Sequence, residues 1–171
     1  SQYRGIELGW RWMPLEGLRL TGAYTHMDSQ YIRFVDQFGT GGVVTRVNQS
    51  GRQVPSVEKN VFNIKAAYDH TPSGLGGWVE GSWIDSFYVN NNNTLGAPSY
   101  VLFNANAHHY YRTHNNRYIK FIKTYVELDN IFDKAYVAWA TPVADSVADA
   151  NKQAFYAGIG RAFYAGVTLG F

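Results

Sequence analysis

Gly158 to Phe171 reads Gly-Ile-Gly-Arg-Ala-Phe-Tyr-Ala-Gly-Val-Thr-Leu-Gly-Phe, and this stretch decides the fold. Phe163, Ala165, Val167, Leu169 and Phe171 alternate with Tyr164, Gly166, Thr168 and Gly170. Strict alternation of this kind predicts a strand with one face in an apolar medium and the other in a mixed one. Two architectures produce it. One is the last strand of a soluble β-sandwich, and the other is the closing strand of an outer-membrane barrel. The rest of the chain separates them.

Working back from this strand, six earlier segments alternate in the same way. Tyr3 to Met13 sets Ile6, Leu8, Trp10 and Trp12 against Gly5, Glu7, Gly9 and Arg11. Leu18 to about Phe34 sets Leu20, Gly22 and Tyr24 against Arg19, Thr21 and Thr25. Asn60 to Asp69 sets Phe62, Ile64, Ala66 and Tyr68 against Asn63, Lys65 and Asp69. Trp78 to Val89 carries Val79, Gly81, Trp83 and Phe87 on one face, with Asp85 interrupting it. Ser99 to Arg112 opposes Val101, Phe103, Ala105 and Ala107 to Tyr100, Asn104, Asn106 and His108. Tyr118 to about Val137 opposes Ile122, Thr124, Val126 and Leu128 to Lys123, Tyr125 and Glu127.

The connections alternate in length. Short turns fall at Pro14, Pro72 and Asn115, and longer loops at 35–59, 90–98 and 139–156. A membrane barrel has this layout, with tight periplasmic turns and longer extracellular loops. The strands are also longer than the usual five or six residues of a soluble sheet. Trp12, Tyr24, Tyr68, Phe87 and Tyr111 lie near strand ends, where interfacial aromatic girdles belong. No apolar run approaches the roughly 20 residues of a membrane helix. Aromatic residues at 16% together with 17 glycines favour strands and turns over helices. The predicted fold is therefore all-β: about seven strands of an antiparallel transmembrane β-barrel. Seven such strands leave two open edges, which lipid does not tolerate. The chain also opens at Ser1 without a leader, so it is expected to be part of a larger barrel.

Four stretches carry a family resemblance. Leu128-Asp129-Asn130-Ile131-Phe132-Asp133-Lys134-Ala135-Tyr136 resembles the Asn-Leu-Phe-Asp-Lys-x-Tyr signature in the penultimate strand of TonB-dependent outer-membrane receptors, with Ile131 in place of Leu. Gly51-Arg52-Gln53-Val54-Pro55 resembles their Gly-x-x-Val-Pro stretch, although Val57 and Glu58 stand where a second proline is usual. Tyr3-Arg4-Gly5-Ile6-Glu7 resembles one of their strand openings, and Gly160 to Val167 resembles their closing strand.

The resemblance implies a barrel of about 22 strands closed by an N-terminal plug. Residues 1–171 would form the C-terminal part of that barrel, without plug or TonB box. It implies active uptake of a scarce nutrient, a ferric siderophore or another metal chelate, energised through TonB. The implied partners are outer-membrane lipid, the rest of the barrel and its plug, TonB through the N-terminal part, the siderophore, and the barrel assembly machinery. That machinery would meet the closing strand at Phe163, Val167, Leu169 and Phe171. The implied location is the bacterial outer membrane. A passive porin-type channel and a soluble all-β binding domain are the alternatives.

No nucleophile–base pair or metal cluster can be assembled, so neither an enzyme nor a cofactor is expected. His108 and His109 are adjacent and point to opposite faces of a strand. A net charge of +2 gives no reason to expect nucleic acid as a partner. Glu7, Arg11, Lys65, Asp69, Lys123 and Glu127 fall on the lumen face and are expected to form ion pairs across neighbouring strands or to the plug. An anionic chelate with flat aromatic groups calls for Arg and aromatic side chains at the extracellular mouth. Tyr31, Arg33, Arg46, Arg52, Tyr88, Tyr100 and Trp139 are the candidates. Asn90 to Asn93 reads as a flexible turn.

Overall fold

The computed structural model describes residues 1–40, 43–114, 117–142 and 155–171. Seven long strands form one sheet: β1 (Gln2–Leu15), β2 (Leu18–Gln30), β5 (Asn60–His70), β6 (Leu75–Ile84), β9 (Tyr100–Arg112), β10 (Phe121–Asp129) and β13 (Ala162–Gly170). Each is hydrogen-bonded to its neighbour in that order, and every pairing is antiparallel. Three two-stranded ribbons sit in the long connections: β3 (Val35–Thr40) with β4 (Val43–Asn48), β7 (Phe87–Tyr88) with β8 (Gly96–Ala97), and β11 (Val137–Ala140) with β12 (Phe155–Ala157).

The register keeps the two faces separate across the whole sheet. Leu20, Ala66, Val79, Ala105, Leu128 and Phe163 form one continuous cross-strand row. Ile6, Leu8, Trp12, Ile64, Val79, Val101, Val126, Phe163, Val167 and Leu169 are all exposed. A soluble sandwich would cover this face with a second sheet. Here the apolar surface is continuous and uncovered, which marks a contact face.

The opposite face is polar and paired. Lys65 Nζ lies 3.4 Å from Glu80 Oε2 and 3.6 Å from the centre of the Trp78 ring. Asn106 Nδ2 donates to Glu127 Oε2 at 3.1 Å. His108 Nε2 donates to Asp69 Oδ1 at 3.0 Å, which places His108 on this face and His109 on the other. The expected ion pair across neighbouring strands is present for Lys65, with Glu80; Glu127 is instead held by the neutral Asn106, and Asp69 by His108 two strands away.

Tight turns join the strands at one end. In the β1–β2 turn Gly17 has φ +78°, and a Cβ there would run into the Asp69 carbonyl. In the β5–β6 turn Gly74 has φ +69°, and a Cβ would meet the Tyr110 carbonyl. Asn115, the third expected turn, lies outside the described residues.

Four predicted boundaries and assignments are corrected. The second strand ends at Gln30 rather than Phe34. The fourth runs from Leu75 to Ile84, so Asp85 lies beyond it; its carboxylate accepts from Asn60 Nδ2 at 2.7 Å. The sixth ends at Asp129 rather than Val137, because Asn130 takes φ +48° and leaves the extended region. Phe87 belongs to no girdle; it is buried with Val89, Ala97 and Ala140 in a small core above the sheet.

Candidate functional site

The long-loop end of the sheet is a packed platform, built from three loops. The first covers 31–59 and contains the β3–β4 ribbon. Gly51, at φ +83°, lets the chain turn back, so that Gly51 N donates to the Tyr31 carbonyl at 2.7 Å and Tyr31 N to the Arg52 carbonyl at 2.9 Å.

The second loop, 85–99, is locked against the first by its asparagines. Asn90 is 1% exposed, and its Oδ1 accepts from Thr94 N and Leu95 N, both at 3.0 Å. Asn91 Oδ1 accepts from Tyr31 Oη at 2.8 Å, while its Nδ2 donates to Asp36 Oδ2 at 3.0 Å. Asn92 Oδ1 accepts from Gln49 Nε2 at 3.0 Å, and its carbonyl accepts from Arg52 Nη1. Asn93 exchanges two bonds with the Gln53 backbone, at 2.8 and 3.0 Å. Amides suit this task because each carries both donors and acceptors and can close a loop on loop backbone. The predicted flexible turn at Asn90–Asn93 is therefore a hydrogen-bonded clasp.

The third loop joins through the apolar core. Ala140 of β11 packs with Phe87, Val89 and Ala97, and Val137 and Leu95 lie against them.

Below this loop lies the turn 130–134. Asn130 is 3% exposed. Its backbone N donates to Asn104 Oδ1 at 2.9 Å; its Oδ1 accepts from Lys134 N at 2.8 Å; its Nδ2 donates to the carbonyls of Lys134 and Ile159, at 3.0 and 3.1 Å. Asp133, at φ +52°, accepts from Arg161 N at 2.8 Å. Phe132 stands edge-on to Phe103, ring centres 5.4 Å apart, and Tyr136 covers Gly158, leaving no room there for a Cβ. Ile131 N donates to the Phe103 carbonyl at 2.8 Å. This motif ties β9, β10 and the entry to β13 together.

The seven candidate contacts divide into two groups. Tyr31 and Arg52 spend their polar groups on the clasp, and Tyr100 packs on Tyr136, ring centres 4.6 Å apart. Arg33, Arg46, Tyr88 and Trp139 are exposed. Arg46 stands on β4 opposite Gln37, and Trp139 lies against Tyr156, ring centres 4.7 Å apart. Tyr156, outside the seven predicted contacts, adds an exposed aromatic beside Trp139. Among the described residues no cluster of His, Cys, Asp or Glu is arranged to hold a metal.

A family model described as TonB dependent receptor-like, beta-barrel, matches residues 1–131. The chain belongs to the TonB-dependent receptor family. Its location is therefore the outer membrane of a Gram-negative bacterium, and the uncovered apolar face of the sheet is the face that meets lipid. The long-loop platform is at the extracellular end and the tight turns are at the periplasmic end.

Solved structures share this fold. The siderophore receptor PiuA from Acinetobacter baumannii is 23% identical over 96% of this chain, with a TM-score of 0.74. BauA, the ferric preacinetobactin receptor from the same organism, is 21% identical over 98%, with a TM-score of 0.72. FpvA from P. aeruginosa, solved with bound pyoverdines, is 15% identical over 96%, with a TM-score of 0.62. The chain spans about a fifth of each receptor: 21%, 22% and 19% of their lengths.

Proposed function

We propose that this chain is the C-terminal wall of a barrel that takes up a ferric siderophore or related metal chelate and is energised through TonB. Within the family, the observation that favours this reading is the loop platform. Its loops are clasped to one another, and they hold Arg33, Arg46, Tyr88 and Trp139 exposed at the extracellular end. A preformed mouth loses little ordering entropy when a ligand arrives. Arg pairs with the ionised oxygens of a chelate, and aromatic rings cover its flat groups.

The remaining parts follow from the same reading. The polar lumen face meets the plug, with Glu7, Arg11 and Lys123 available beside the pairs already made. Energy enters through a TonB box in the N-terminal part. The closing strand, with Phe163, Val167, Leu169 and Phe171, engages the barrel assembly machinery.

Uptake of radioactive iron from a panel of ferric siderophores tests the proposal in cells expressing the full receptor, with and without TonB. Saturable uptake of one chelate class, abolished without TonB and weakened about tenfold by Arg33→Ala with Arg46→Ala, is the expected result. Uptake that proceeds equally without TonB would make the barrel a passive channel.

A further inference from the structure

The lipid face is not evenly covered. A groove of about 470 Å³ runs over its middle strands. Its floor is made mainly of small side chains at adjacent register positions, Ala66 on β5, Gly77 on β6, and Ala105 and Ala107 on β9, with Val79 of β6 among them. Its walls are larger, with Leu18 and Tyr68 on one side and Leu128 and Phe163 on the other. A second depression of about 270 Å³ continues it toward the periplasmic end; the two share Ala107 and Val126, and the second reaches Leu75 and His109.

The groove leads to the polar groups of the β5–β6 turn. Its next register row toward the β5–β6 turn is His70, Leu75 and His109. His70 Nδ1 is 2.8 Å from Ser73 Oγ, and the ring stacks on Tyr68, centres 6.5 Å apart. His109 Nε2 donates to the Ser73 carbonyl at 3.1 Å. Two imidazoles and a hydroxyl, tied together through Ser73, thus stand at the tight-turn end of an apolar channel.

We propose that this groove is a binding site for one phospholipid of the periplasmic leaflet. An acyl chain lies over Ala66, Val79, Ala105 and Ala107, and the headgroup meets His70, Ser73 and His109. The outer-membrane placement of this face makes a lipid its occupant. The histidine row at the tight-turn end selects the periplasmic leaflet. The groove adds contact that a smooth wall lacks, because a chain seated between walls gains dispersion contacts on three sides.

The test counts lipid and needs no transport, so it stands or falls apart from the uptake proposal. Full-length receptor is purified in mild detergent, stripped of lipid, and titrated with palmitoyl-oleoyl phosphatidylethanolamine under native mass spectrometry. Wild type is expected to retain one lipid per barrel through detergent removal. Ala105→Leu with Ala107→Leu fills the floor while keeping it apolar, and retention is expected to fall about tenfold. His70→Ala with His109→Ala is expected to weaken retention of the phospholipid but not of a free fatty acid. Val101→Leu, on the same face outside the groove, is expected to change nothing. Heat-modifiable gel mobility confirms that each variant is a folded barrel. No retained lipid in wild type, or equal retention in the filled-groove and Val101→Leu variants, overturns the site.

Discussion

Asn130 shows how much one side chain can organise. Its carboxamide bonds three backbone groups in two segments, and its positive φ ends β10. Asn is among the few residues that tolerate this conformation while still offering both a donor and an acceptor. Asn130→Ala removes these three bonds at a buried side chain and is expected to destabilise the region by about 1–3 kcal/mol. Asn130→Gly keeps the φ but loses the same bonds, so it should recover only about 1 kcal/mol of that loss. Urea unfolding of receptor in detergent, compared across the two variants, measures the difference. Gly158→Ala makes an independent check, because its Cβ would enter the space of the Tyr136 ring. It is expected to lower stability by about 1–3 kcal/mol, and Tyr136→Ala should relieve most of that clash.

The long elements were legible in the sequence because alternation is the direct print of a strand between two media. All seven sheet strands were found this way, as was their order of short and long connections. What alternation could not supply was where a strand stops. Beyond Ile84 and Asp129 the apolar pattern continues into Phe87 and Phe132, yet those residues serve a loop core and a turn. The clasp was hidden for a different reason. A run of asparagines has the composition of a loop, and nothing local reveals that its partners lie about 40 residues away at Gln49, Arg52 and Gln53. Tyr31 and Arg52 have the chemistry of ligand contacts, and the structure puts that chemistry to work between loops.

At this scale, Asn93→Ala removes the paired bonds to Gln53 and should loosen the joint between the two loops. Hydrogen exchange of Gln53 and its neighbours is expected to speed up about tenfold, while β5 and β6 keep their protection. The lumen pairs are weaker determinants. Lys65 and Glu80 are partly solvated, so Glu80→Gln should change stability by less than about 1 kcal/mol. A larger effect would mean that the plug, rather than water, surrounds them.

For the whole molecule, one sheet separates two environments. Its register sends every second side chain to lipid, and the extracellular loops form a platform at one end. The sheet has its two edges at β1 and β13, and in the reading proposed above further strands pair with both. These 171 residues contain no cysteine, so each single cysteine introduced here is the one label site within them. The most direct measurement is a scan of spin labels along β5, β6 and β10 in the full receptor, reconstituted in lipid vesicles. Collision with oxygen, which dissolves in lipid, is compared with collision with a water-soluble nickel chelate. Labels at Ile64, Val79 and Val126 are expected to respond to oxygen, and labels at Asn63, Glu80 and Lys123 to nickel, with a period of two along each strand. Equal access of the nickel chelate to both faces would contradict the account, because the sheet would then stand in water and not in the wall of a barrel.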